Sequence, residues 1–423
     1  MTWENKTLGD VSISIQTGPF GSQLHQSDYS ASGTPVVMPK DLAGGKIVTD
    51  SIARVPAIHV ERLCQHKITP NDILYSRRGD VGRCAFATDE EAGWLCGTGC
   101  LRVTIDKSTA NPKFVFYQLQ TSGSIGWVEK HAVGSTMLNL NTSILSHVPI
   151  ILPNKKIQDK IADILSAYDD LIENNQKQIK LLEEVAQRLY KEWFVDFRFP
   201  GHETTPFHDG LPEGWERKTI GELISYEIGG GWGEETITCN AENGAFVIRG
   251  TDLFGLTHGN LMEIPFRYHG AKDLLARTLR DGDIVFEVSG GSKTEGVART
   301  TLIRTKMLKR WASPVMCASF CKLIRPISLD FSQYLFDHFQ YLRLSGKTEE
   351  YDKRSASSIV NYRWKDFLSQ EIMYKPSKVI INQYNKIARF IYDQMIDKSL
   401  QIETAQNARD RLLPKLMSRE IQV

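Results

Sequence analysis

Four groups of side chains in this 423-residue chain have the type and spacing to do chemistry. Asn111-Pro112-Lys113-Phe114 approaches the Asn-Pro-Pro-(Phe/Tyr) run with which amino-methyltransferases hold an extruded base. The simpler reading is a helix start, with Asn as the cap and Pro at the first helical position. The matching place in the second half reads Leu329-Asp330-Phe331, and no Gly-rich loop follows a strand as a methyl-donor site needs, so the cap is favoured. Cys96-Xaa3-Cys100 and Cys317-Xaa3-Cys321 suggest zinc, but zinc sites usually bring a second pair or a His close by. On one strand, residues four apart share a face, and a buried Cys packs as a small apolar residue. Gly229-Gly230-Gly231 and Ser289-Gly290-Gly291-Ser292 lack the Lys-Ser/Thr and the helix of a phosphate loop and read as turns. Asp283 and Glu287 lie near Lys293 without the carboxylate-Xaa-Lys spacing of a nuclease. Neither a Ser-His-Asp order nor a His-Glu-Xaa-Xaa-His motif occurs. The expectation is a chain that recognises and does not catalyse, with no metal and no cofactor of its own.

Composition sets the frame. With 41% hydrophobic and 24% charged residues the chain is an ordinary globular one, long enough for two or more domains. It has no apolar run long enough to span a membrane, and MTWENKTLGD lacks a signal-peptide core, so an intracellular, cytoplasmic protein is expected. Seven Cys without a disulfide layout suit a reducing compartment. The formal net charge of +1 gives no basic surplus for nucleic acid, so a DNA ligand would require basic residues gathered on one face.

The positioning elements are two long helices. From Lys155 to Phe194, apolar residues at Ile157, Ile161, Ile164, Tyr168, Leu171, Ile179, Leu182, Val185 and Leu189 predict one stripe, narrow enough to want a partner helix. Lys386 to Met417 repeats the pattern. Lys160-Ile161-Ala162 matches Lys386-Ile387-Ala388, and Arg188-Leu189 matches Arg411-Leu412. Asn175 interrupts the first stripe and Lys398 the second, and a polar residue in such a seam fixes register. Pro414 is expected to kink or stop the second helix.

The segments before the helices also repeat, at an offset of about 210 to 225 residues. Trp3-Glu4-Asn5-Lys6-Thr7-Leu8-Gly9 aligns with Trp215-Glu216-Arg217-Lys218-Thr219-Ile220-Gly221, and Asp72-Ile73-Leu74-Tyr75 with Asp283-Ile284-Val285-Phe286. Gly33-Thr34-Pro35-Val36-Val37 aligns with Gly244-Ala245-Phe246-Val247-Ile248, and Ser135-Thr136-Met137 with Ser357-Ser358-Ile359. The fold expected is α+β: two mixed α/β domains (1–153 and 212–376) joined by two long antiparallel helices (154–196 and 377–423) in a coiled coil. A linker at 197–211 would complete a pseudo-twofold internal duplication. Apolar residues around Leu189–Phe197 and Leu412–Ile421 would form docking surface, unless they pack on their own domains.

This order of parts resembles the specificity subunit of type I restriction–modification systems. The resemblance rests on the Trp-Xaa-Xaa-Lys-Thr-(Leu/Ile)-Gly starts at Trp3 and Trp215, the strand Gly282–Phe286, the Gly134-Ser135-Thr136 loop, and Pro153 or Pro376 before each helix. It implies two target recognition domains, each reading half of a bipartite double-stranded DNA target. The helices would set the gap and dock two methyltransferase (modification) subunits. Restriction subunits, the motor and nuclease, would join. S-adenosylmethionine, ATP and Mg2+ would belong to those partners.

Sequence is read by donors and acceptors at base edges, and phosphate contacts only position. The loop candidates in the first domain are Ser22, Gln23, Lys40, Arg77, Arg78, Arg83, Ser135 and Thr136. In the second they are Arg249, Thr251, Ser292, Lys293, Arg299, Lys353, Arg354, Ser357 and Ser358. Arg77 and Arg78 lead, because bidentate Arg–guanine contacts are the commonest specific pair. Two other readings stay open: a duplicated coiled-coil adaptor that binds proteins, and an autonomous methyltransferase, which the missing donor-binding motif disfavours.

Overall fold

Alternating steps of four and three residues place Ile161, Leu165, Tyr168, Ile172, Asn175, Ile179 and Leu182 along one seam of a helix that runs Lys155–Tyr190. The computed structural model describes residues 3–134, 138–259, 261, 263–291, 296–354 and 359–423. Leu171 and Val185, expected on the stripe, are instead 43% and 52% exposed. A residue one place off the heptad turns about 100° away, so Ile172 is inside and Leu171 outside. The second long helix spans Lys378–Met417 and does not stop at Pro414. Leu416 in its last turn is buried in the core it completes.

The chain divides into two compact units, residues 1–170 with 407–423, and residues 171–406, so each long helix is shared between them. Within the first unit, Ile161 and Leu165 join a core with Leu416, flanked by Leu412, Leu413 and Met417. Asp169 accepts from Arg409 Nη1 at 2.6 Å and from the Tyr117 hydroxyl. Within the second, Asn175 Nδ2 donates to Gln401 Oε1 at 3.2 Å, and Trp193 lies against Tyr384 with ring centroids 5.7 Å apart. Rising numbers on one helix meet falling numbers on the other, so the pairing in each unit is antiparallel. Lys398 is only half-buried, and Ser399 takes the buried position beside it, donating to Leu256 O at 3.1 Å.

Asn175 is 1% exposed, so its amide depends on Gln401. Gln401→Ala is expected to cost about 1–3 kcal/mol, the penalty of an orphaned buried polar group. The double change Asn175→Leu with Gln401→Leu should recover most of it. Urea denaturation of the three chains checks both statements.

The globular parts carry the same three sheets. In the first unit Glu4–Thr7 pairs antiparallel with Pro149–Leu152. A four-stranded antiparallel sheet has the order Ser12–Thr17, Cys100–Ile105, Ile73–Ser76, Cys84–Phe86. A third sheet runs Ala53–Val55, Thr34–Val37, Leu95–Cys96, its last pair parallel. In the second unit the counterparts are Glu216–Thr219 with Ile372–Lys375, then Ile224–Gly229, Cys321–Pro326, Ile284–Glu287, Thr300–Leu302, and finally Phe266–His269, Asn243–Ile248, Val315–Cys317. Orders and directions match strand for strand. Even the turn before the third strand of the large sheet repeats, left-handed at Asn71 (φ 75°) and Gly282 (φ 85°). The second unit adds Ser289–Gly290, Val360–Tyr362 and Asp352–Arg354 as a small sheet of its own.

The end of the first long helix is not exposed docking surface. Tyr190, Trp193 and Phe194 are buried among Trp215, Tyr334 and Tyr384 of the second unit. Large apolar side chains within reach of a globular core pack on it. Residues 197–211, expected as a linker, are also tied down: Phe199 packs on Trp215, and Phe207–His208 pairs with Leu211–Pro212.

Candidate nucleic-acid interface

Each unit builds its candidate surface around one short turn between two sheets. In the first, residues 97–99 carry the chain from Leu95–Cys96 to Cys100–Ile105. Cys96 and Cys100 therefore end one strand and begin another, and do not share a strand as the four-residue spacing suggested. Both are fully buried, and burial pushes the Cys96 thiol up to about 12 and Cys100 higher than usual as well. Burial lifts Cys317 to about 12 and raises Cys321 in the same way. Cys96 and Cys100 pack in an apolar cluster with Val37, Leu42 and Leu74, the place of small apolar core residues. Among the described residues no three His, Cys, Asp or Glu gather to hold an ion.

Three segments converge on the 97–99 turn. Gly18 N–H donates to Cys100 O at 2.9 Å, and a Cβ there would sit 2.0 Å from Gly97 O, so only glycine fits. Thr98 Oγ1 donates to Pro19 O at 2.9 Å, which fixes the start of the Phe20 turn. Arg77 N–H donates to Gly99 O at 2.8 Å, and Pro39 packs on Gly99. Residues 138–140 join from the side: Leu140 N–H donates to Arg77 O at 2.8 Å and Gly79 N–H to Leu138 O at 3.1 Å. Arg77, Arg78 and Lys40 thus flank one rim. The Arg77 guanidinium lies 5.6 Å from the Phe20 ring centroid, and Arg78 is exposed where it bridges to Asn139.

The other candidates of this unit are more committed. Lys40 Nζ donates to Ser51 O at 2.9 Å. Gln23 Oε1 accepts from Phe20 N–H at 3.1 Å, closing the turn on which Ser22 is exposed. Arg83 is paired through two N–H groups with Asp80 Oδ2, at 3.0 and 2.8 Å. Ser135 and Thr136 lie outside the described residues.

The second unit repeats the plan around residues 318–320. Gly230 N–H donates to Cys321 O at 2.8 Å, and a Cβ on it would lie 2.2 Å from Ala318 O. Val288 N–H donates to Phe320 O at 2.9 Å, where the first unit has Arg77 and Gly99. Ser289 pairs with Asn361 as Arg78 does with Asn139. The arginines differ in kind. Arg249 is spent on Asp252, with Nε and Nη2 at 2.8 and 2.9 Å, and closes the Gly250–Asp252 turn. Arg299 neutralises the buried Glu287 through bonds of 2.8 and 2.6 Å. Pulling it away would strand a buried carboxylate, so Arg249 and Arg299 are structural pairs. Thr251, Lys353 and Arg354 are exposed, with Arg354 Nη2 3.6 Å from Asp352. Ser292, Lys293, Ser357 and Ser358 lie outside the described residues.

Asn111 caps the helix Pro112–Leu119: its Oδ1 accepts from Phe114 N–H at 3.1 Å and its Nδ2 donates to Asp159 at 2.8 Å. An amide engaged on both sides is not offered to a base. The sequence reading missed the exposed aromatics of the rims, Phe20, Trp232 and Phe320. Aligning Gly18-Pro19-Phe20 with Gly230-Gly231-Trp232, just after matching strands, would have found the first two.

Residues 1–184 match the family described as the type I restriction modification DNA specificity domain. The whole chain aligns at 26% identity with the type I restriction enzyme MjaIX specificity subunit of Methanocaldococcus jannaschii, covering 100% of this chain and 94% of that protein. Over 199 residues it is 27% identical to the type I restriction enzyme HindI specificity subunit of Haemophilus influenzae, which spans 46% of this chain and 41% of that one. Among solved structures, a type I restriction–modification S subunit from M. genitalium superposes with a TM-score of 0.60 at 14% identity, over 98% of this chain and 96% of its own, a likeness of fold. Among the described residues no helix is long and apolar enough to cross a membrane.

Proposed function

We propose that this chain, similar over residues 1–184 to the type I restriction modification DNA specificity domain and over its whole length to a type I specificity subunit, reads one half of a bipartite double-stranded DNA target with each of its two units. The carrying observation is the repeated rim: the same turn, glycine contact and backbone bonds, built twice, with different side chains presented. A shared frame with divergent loops is what two different half-sites require. The relatives above are named as specificity subunits, which leaves a protein adaptor without a DNA role unsupported.

The helices then act as spacer and as the surface for two modification subunits. Exposed apolar side chains on them, Leu181 and Val185 on the first and Val379 and Phe390 on the second, supply that surface. Restriction subunits complete the complex. S-adenosylmethionine, ATP and Mg2+ act on those partners, this chain contributing recognition without catalysis, in the cytoplasm.

Arg78 is the foremost base reader, being exposed at the rim with its backbone held by Asn139. Arg78→Ala is expected to relax discrimination at one base pair by about 1–3 kcal/mol. Genome-wide adenine-methylation mapping reads it out as a degenerate position in one half of the motif. Equal loss on every sequence would make Arg78 a phosphate contact. A methylation pattern that survives deletion of the whole chain overturns the function itself.

A further inference from the structure

Phe20 and Trp232 stand at the same place in the two units. Each follows the edge strand of the four-stranded sheet, Ser12–Thr17 or Ile224–Gly229, and each comes two residues after the glycine that packs on the inter-sheet turn. Both rings stay in solvent, 54% and 41% exposed. Burial does not account for a large ring left exposed at both copies of one position.

Each ring faces a guanidinium. The Arg77 carbon Cζ lies 5.6 Å from the Phe20 centroid, and that of Arg267 lies 4.9 Å from Trp232. The arginines come from different elements. Arg77 follows the strand Ile73–Ser76, whereas Arg267 belongs to Phe266–His269, whose counterpart in the first unit is Ala53–Val55. The second arrangement is built by Glu234 and Tyr268, which exchange two backbone bonds of 2.9 Å, and by Gly233 packed on His269. Exposed Glu235 also meets Arg267 Nη2, at 3.0 Å.

We propose that Phe20 and Trp232 are specificity-determining residues, each a platform that holds an arginine for guanine readout in its own half-site. This rests on the DNA-reading function above. Bidentate contact with guanine O6 and N7 costs less when the guanidinium plane is already set before binding. A ring beneath it attracts the cation and restrains a side chain that otherwise has much rotamer freedom to lose. The platform is common to both units and the arginine arrives from two directions. The two frames therefore present their forks differently, and this contributes to the difference between the half-sites.

The test uses the full chain in the assembled complex, carrying Phe20→Ala, Trp232→Ala, Phe20→Tyr or Trp232→Phe, with methylation mapped across the genome. Phe20→Ala should loosen discrimination about tenfold or more at one or two positions of a single half-site, the loss expected when a bidentate contact fails. Trp232→Ala should do the same in the other half only, and the two aromatic replacements should keep the motif sharp. If an alanine variant fails to assemble, Phe20→Leu or Trp232→Leu, apolar but without a π face, asks the same question. A motif unchanged in the alanine or leucine variants overturns the proposal, as does a loss spread evenly over all sequences. Those outcomes require a sharp wild-type motif; no sequence-defined methylation by the wild-type complex would instead sink the DNA-reading function.

Discussion

Phe194→Ala is expected to destabilise the second unit by about 3–5 kcal/mol, the range for truncating a core aromatic. Five residues, Lys191–Val195, follow the first long helix in a π-helical turn. That wider turn swings Trp193 and Phe194 inward. Phe194 is 2% exposed, and its ring lies 4.4 Å from Tyr334, 4.8 Å from Tyr384, 5.3 Å from Tyr190 and 5.8 Å from Trp215. The cost depends on whether the wall can collapse into the space. Here it is held open. Tyr334 donates to Tyr374 O, Tyr384 donates to Asp337 at 2.6 Å, and Tyr190 is bonded to His338 Nδ1 at 2.7 Å. Moving any of these rings breaks a buried hydrogen bond, which puts Phe194→Ala toward the upper end of the range. Urea titration of both chains, followed by tryptophan fluorescence and circular dichroism, measures it. Val185→Ala, on the exposed face of the same helix, should stay within about 0.5 kcal/mol of the parent chain.

That contrast also marks what could be read from the sequence. The duplication was legible because strand pairing and helix seams leave periodic traces, and the matched sheets bear it out. The antiparallel helices were legible for the same reason, and so was the capping role of Asn111. The seam itself was drawn one residue off at Leu171, because an apolar residue beside Ile172 scores alike until the partner helix chooses between them. The destination of an apolar face was not legible. Tyr190, Trp193 and Phe194 read as exposed docking residues until the core of the second unit covers them. Nor was the fate of each arginine. Glu287 and Arg299 are twelve residues apart and meet across an antiparallel strand pair, a contact that no local pattern announces. Arg77 and Arg249 look equivalent as loop arginines, yet one lies over a ring at the rim and the other closes a turn.

The helix Leu329–Leu344 ties the second unit together through two neighbouring ionisable groups, and these give opposite responses to pH. Asp337 accepts from Tyr384 of the second long helix at 2.6 Å and from Gln333 Nε2 at 3.1 Å, while His338 meets Tyr190 of the first at 2.7 Å. Burial pushes the Asp337 carboxyl from 3.8 up to about 7, and burial lowers the His338 imidazole from 6.5 to about 3. Between pH 3.8 and 7 the unfolded chain has released a proton that folded Asp337 retains. Stability from this group therefore falls as pH rises through that window, by about 4 kcal/mol in all at roughly 1.4 kcal/mol per pH unit. Between pH 6.5 and 3 the unfolded chain binds a proton that folded His338 refuses, so stability falls as pH drops. Where the windows overlap, from 3.8 to 6.5, the two slopes cancel and the parent chain should be nearly indifferent to pH in this region. Asp337→Asn keeps an acceptor for Tyr384 and removes one slope. It should be more stable than the parent at pH 8, and its stability should climb from pH 4 to 6.5. His338→Gln removes the other slope, so its stability should instead decline from pH 4 to 7. Urea unfolding of the three chains at closely spaced pH values decides it: parallel profiles would mean that neither side chain carries its charge state through folding in the way its burial demands.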